Sequence, residues 1–170
     1  MEGTAASVTF EGNPLTLMGS PPKVGEPAPD FEVLANDLSA VRLSDFRGKV
    51  CVICAVPSLD TPVCDTEIRK FNERAASLGD DVAVLAISTD LPFAQQRWCG
   101  AAGIENVQAL SDHRDAEFGK SYGVLIEGLR LLARAVFVVD KEGLLRYIEV
   151  VDELTNEPDY EGALKAAKDL

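Results

Sequence analysis

The run Val50-Cys51-Val52-Ile53-Cys54-Ala55-Val56, continued by Pro57-Ser58-Leu59-Asp60-Thr61-Pro62-Val63-Cys64, decides how the rest of the chain is read. Its first seven residues are all apolar, the pattern of a strand buried on both faces. A helix entrance follows within a few residues. Thr61 suits the N-cap, Pro62 the first helical position, and Cys64 then falls at the third. The sulfur is thereby set in the first turn, where unpaired N–H groups and the positive end of the helix favour an anion. The thiolate is the nucleophilic form of cysteine, and an unperturbed thiol, with a pKa of about 8.5, is mostly protonated in neutral water. Asp65 and Glu67 work against ionisation, so a reactive Cys64 requires a cation from elsewhere in the chain. Spacing does not identify that cation.

Outward from this segment, strands alternate with helices. Residues 67–78 have helical spacing, with Ile68, Phe71, Ala75 and Leu78 on one side. Residues 82–87 read as a second buried strand, and 91–102 as a helix stopped near Gly103. A short helix is expected over 116–122. Strands 135–139 and 144–150 flank Lys141-Glu142-Gly143 as an antiparallel hairpin, and a last helix covers 160–168. Toward the N-terminus, 7–10 and 15–18 flank the turn-like Glu11-Gly12-Asn13-Pro14 and predict a hairpin. A Pro/Gly-rich connector over 20–29 and two short strands near 31–34 and 40–43 follow. The pattern predicts a thioredoxin-like α/β fold, with a central mixed sheet flanked by helices and an added N-terminal β-hairpin. The late strand-turn-strand pair favours it over a flavodoxin-like fold. One domain is expected over 1–170, with 1–22 as the hairpin extension.

The net charge of −12 argues against nucleic-acid binding, which needs clustered Lys and Arg. The acidic residues are scattered, as on a solubilising surface. No apolar stretch approaches the roughly 20 residues of a membrane helix, and Met1–Ala6 lacks the basic start and apolar core of a secretory signal. A cytoplasmic protein is expected. There, four cysteines are catalytic, metal-binding or simply buried rather than structural disulfides. Cys51 and Cys54 have Cys-x-x-Cys spacing but lie inside the predicted strand, where residues three apart face opposite sides. Core packing is the better reading for them than a redox dithiol or a zinc site. His113, the only histidine, falls between predicted elements and reads as a loop residue rather than a base.

Pro57, Thr61 and Cys64 form the pattern Pro-x-x-x-Thr-x-x-Cys, and here the sequence resembles the peroxiredoxins. Longer matches resemble the bacterial thiol peroxidase branch of atypical two-cysteine enzymes. They include Arg69-Lys70-Phe71-Asn72, Ser88-Thr89-Asp90-Leu91-Pro92-Phe93-Ala94-Gln95, Arg97-Trp98-Cys99-Gly100, Ala133-Arg134-Ala135 and 151–160. The resemblance implies Cys64 as the peroxidatic cysteine, oxidised to a sulfenic acid. It implies Thr61 as a hydroxyl in the peroxide site, Pro57 as a shield against water, and Arg134 as the missing cation. Arg130, four residues earlier, lacks the Ala-Arg-Ala context. Cys99 is implied as the resolving cysteine, which condenses with the sulfenic acid to a Cys64–Cys99 disulfide. A peroxide substrate, recycling by thioredoxin, a homodimer, and no metal or organic cofactor are further implications. Pro62 stands where relatives often carry Gly. Two other readings compete: a disulfide reductase using Cys51 and Cys54, and a sensor that passes Cys64 oxidation to a partner.

Overall fold

The computed structural model describes residues 7–170, so Met1–Ala6, and with them the start of the expected 1–22 extension and the segment read for a secretory signal, lie outside the described residues. Two strands open the chain, β1 (Ser7–Phe10) and β2 (Asn13–Met18), paired antiparallel with Phe10 opposite Asn13. Strand β2 begins earlier than the sequence suggested and includes Pro14. This is tolerated because β2 meets its other neighbour, β8 (Leu125–Ile126), only at Leu17 and Met18. Glu153 fastens the hairpin to the body by accepting from Thr9 Oγ1 and the N–H groups of Glu11 and Gly12.

The main sheet has seven strands in the order β10-β9-β5-β6-β7-β3-β4. Its centre is β5 (Val50–Ala55), parallel to β6 (Val82–Ser88), which is parallel to β7 (Gln108–Ser111). On the other side of β5 runs β9 (Ala135–Val139), antiparallel, and then β10 (Leu145–Val150). The far edge is β3 (Glu32–Leu34) and β4 (Ala40–Arg42). The helices are α1 (Pro62–Ala75), α2 (Pro92–Ala102), α3 (Glu117–Ser121) and α4 (Tyr160–Lys168).

The period of two along β5 and β9 builds a core on each face of the sheet. Cys51, Ile53, Ala55, Ala135 and Phe137 join Phe31, Phe118 and Tyr122 on one face. Val52, Cys54, Val136 and Val138 join Ile68 and Phe71 of α1 and Leu164 of α4 on the other. Helix α2 ends where the sequence indicated, with Gly103 in the left-handed region at φ 69° and its N–H donated to the Cys99 carbonyl.

Candidate active site

Three segments converge at the C-terminal end of β5. The loop 56–61 leaves the strand and turns into α1, which carries Cys64 in its first turn. Ala55 pairs with Ala135, so Arg134, one residue before β9, lies beside the point where the loop departs. The third segment follows β10, where the carbonyl of Leu154 faces Arg134.

Asp90 holds the loop in place. Its carboxylate accepts from Ser58 Oγ at 2.7 Å, from the Leu59 N–H at 2.8 Å and from Ser88 Oγ at 2.8 Å. Pro57 and Leu59 are buried, Leu59 in the same apolar cluster as Cys64. Thr61 has the extended backbone of an N-cap, yet its hydroxyl does not cap. It donates instead to the Ser58 carbonyl at 2.9 Å, closing the turn 58–61. The hydroxyl therefore leaves the first-turn N–H groups beside Cys64 unclaimed.

Cys64 is fully buried, and Arg134 is 2% exposed. Nη1 of Arg134 donates to the Cys64 Sγ at 3.2 Å and to Glu67 Oε1 at 2.8 Å. Nε and Nη2 both donate to the Leu154 carbonyl, at 3.1 and 2.7 Å, which fixes the plane of the guanidinium. Burial works against the charge on Arg134, but the adjacent Cys64 and Glu67 outweigh it and hold the group protonated. Arg130, by contrast, is exposed.

Glu67, read from the sequence as opposing ionisation of Cys64, shares Arg134 Nη1 with its sulfur. Three residues after Cys64 it shares the inner face of α1 and is fully buried. Burial raises its carboxyl from 4.5 to about 7 despite the attraction of Arg134. Its Oε2 has no hydrogen-bond partner among the described residues. A charged residue in phase with Ile68 and Phe71 was the available signal.

A family model described as Redoxin matches residues 23–164. A thiol peroxidase of Halalkalibacterium halodurans is 62% identical over 96% of this chain and 98% of its own, and one of Bacillus subtilis 57% over 97% and 98%. The chain belongs to the bacterial thiol peroxidases of the peroxiredoxin family. A peroxiredoxin-like protein from Aquifex aeolicus superimposes with a TM-score of 0.90 at 45% identity, covering 98% of this chain and 99% of that one. A thiol peroxidase from Chromobacterium violaceum, 22% identical, shares the fold with a TM-score of 0.85 over 96% and 95%.

In this thiol peroxidase the second candidate sulfur, Cys99, is half-buried in the last turn of α2 rather than in the Arg134 cluster. Burial raises its thiol above the ordinary value. All four cysteines are unpaired. Cys51 and Cys54 lie on opposite faces of β5, and burial pushes the Cys51 thiol up to about 12 and the Cys54 thiol well above its usual range. Such thiols are inert at neutral pH. His113 is partly buried just after β7, its N–H donated to Ser111 Oγ at 3.3 Å. Among the described residues no three His, Cys, Asp or Glu side chains are grouped to hold a metal ion, and no helix is long and apolar enough to cross a membrane.

Proposed function

We propose that this peroxidase reduces hydrogen peroxide and organic hydroperoxides through Cys64, resolves through Cys99, and is recycled by a thioredoxin-type dithiol protein. The observation that carries the reading is the 3.2 Å contact from Arg134 Nη1 to the fully buried Cys64 sulfur. A buried charged hydrogen bond is stronger than an exposed one, and it favours the anion that attacks. The thiolate attacks the terminal peroxide oxygen: the S–O bond forms, the O–O bond breaks, and the departing alkoxide or hydroxide takes up a proton. Cys64 is then a sulfenic acid. The Cys99 thiol attacks it, forming the disulfide and releasing water. Two thiols of the reductant return both cysteines to the reduced state.

In this reading Arg134 would also donate to the peroxide oxygens, and Thr61, at the N-cap of the Cys64 helix, would offer its hydroxyl to the substrate. The four unpaired thiols suit a reducing compartment, the cytoplasm. Leu91 and Phe93, exposed at the start of α2, offer apolar surface for the homodimer proposed here. Peroxide consumption in the presence of a thioredoxin system tests the reading. Cys64→Ser should abolish turnover. Cys99→Ser should consume one equivalent of peroxide with thioredoxin as the only reductant and then stop. Full multiple turnover by either variant would refute the assignment.

A further inference from the structure

The residues next to the two working cysteines touch each other. Asp65 follows Cys64 on α1, and Trp98 precedes Cys99 on α2. Trp98 Nε1 donates to Asp65 Oδ1 at 2.8 Å, while Arg69 Nε donates to Oδ2 of the same carboxylate at 2.9 Å. The Arg69 guanidinium also lies over the indole, 5.9 Å from its centroid. Two neighbouring clefts of about 650 and 340 Å³ are lined in part by Trp98. One helical turn further along α1, Asn72 Oδ1 accepts the N–H groups of Glu105 and Asn106, which pins the chain just beyond α2.

Resting on the Cys64–Cys99 reading above, we propose that the Asp65–Trp98 hydrogen bond, steadied by Arg69, is a clasp. It holds the Cys99 turn of α2 wound, and its opening sets the rate at which Cys99 reaches the Cys64 sulfenic acid. A disulfide needs Cα atoms within roughly 7 Å and a specific sulfur geometry. Cys99 sits in a formed helical turn, its carbonyl accepting from Gly103 and from Ile104, the latter at 3.0 Å. To bring its sulfur to the Arg134 cluster, this turn and the first turn of α1 must unwind. Both motions separate Asp65 from Trp98. The Asn72 anchor confines the unwinding to the stretch between Trp98 and Glu105, and the neighbouring clefts give the indole room to swing. Asp65 and Trp98 are thus positioning residues. They act on the resolution step and not on the attack at peroxide, and they set how long the sulfenic acid stays exposed to a second peroxide that would carry it to the sulfinic acid.

The test compares full-length parent and Trp98→Phe proteins, reduced, mixed with excess hydrogen peroxide, quenched with an alkylating agent and counted by peptide mass. Phenylalanine keeps the aromatic packing and loses the donor. The peroxide-dependent oxidation of Cys64 should be unchanged within about twofold. Disulfide formation should be about fivefold faster, equivalent to about 1 kcal/mol. The peroxide concentration that drives half of Cys64 to the sulfinic acid should rise by the same factor. A residue that merely stabilised the fold would lower the melting temperature without moving this partition. An unchanged or slower disulfide step in the variant overturns the clasp, while the Cys99 assignment stands. A parent that never forms the Cys64–Cys99 bridge overturns the Cys99 assignment and the clasp with it. A second measurement needs no variant, because Trp98 is the only tryptophan. Its fluorescence should change in the peroxide-independent phase that forms the disulfide, and a signal confined to the peroxide-dependent phase counts against the clasp.

Discussion

Replacing Arg134 with methionine removes the cation and leaves a side chain of comparable reach. Four hydrogen bonds go with it: one to the Cys64 sulfur, one to Glu67 and two to the Leu154 carbonyl. A hydrogen bond to a charged group contributes roughly 1.5–3 kcal/mol. Losing the one to the sulfur should therefore slow the attack of Cys64 on peroxide by about 10- to 150-fold, at 1.36 kcal/mol per factor of ten. The bimolecular rate of Cys64 oxidation should fall at least that far. The assay is stopped-flow oxidation of the reduced protein by limiting hydrogen peroxide at neutral pH. Urea unfolding provides the control for folding, because the Leu154 carbonyl loses both donors and Glu67 its partner. A well-folded Arg134→Met protein that reacts within threefold of the parent at neutral pH would refute the reasoning.

Two further outcomes follow from other buried groups. Asp112 is nearly fully buried and accepts the N–H groups of Phe118 and Gly119 at the start of α3. Burial raises its carboxyl from 3.8 to about 6. The folded state therefore holds this proton more tightly than the unfolded chain, so its contribution is full below about pH 3.8 and is lost as pH rises through about 6. Urea unfolding should show a decline on the order of 2–3 kcal/mol across that window, which Asp112→Asn should flatten; an identical slope in the variant would contradict it. Cys51→Ala and Cys54→Ala should each cost about 1–2 kcal/mol of stability and leave peroxide turnover within twofold. Loss of activity in a stably folded Cys54→Ala protein would revive the reductase reading of that pair.

The junction of β5 with α1 was legible because everything that specifies it is contiguous: an apolar run, a proline suited to the first helical position, and a helical phase that sets Cys64 in the first turn. Gly103 marked the end of α2 for the same local reason. Strand β7 went unread because Gln108-Ala109-Leu110-Ser111 carries little β signal of its own and is a strand by pairing with Leu85–Ser88. The two residues of β8 likewise depend on β2. At the site, the meeting of Arg134 with Cys64 depends on the register of β5 against β9, which no local pattern encodes, and only the family resemblance singled out this arginine. The three nearby carboxylates could not be sorted by sequence distance. Asp65 turns to Trp98 and Arg69, Glu67 turns inward to Arg134, and Asp90 ties down the loop. Thr61 is the N-cap the sequence indicated, and the tight turn from Ser58 gave its hydroxyl an acceptor that the local pattern does not show.

The most direct measurement is the ultraviolet thiolate absorbance of the reduced protein at neutral pH, taken against the Cys64→Ser variant. With Cys51 and Cys54 held protonated by burial, the Arg134 contact to the Cys64 sulfur predicts an absorbance that the parent shows, Cys64→Ser lacks, and Arg134→Met loses. Identical spectra for the parent and Cys64→Ser would mean that the buried sulfur is a neutral thiol, and the electrostatic account of this site would be wrong.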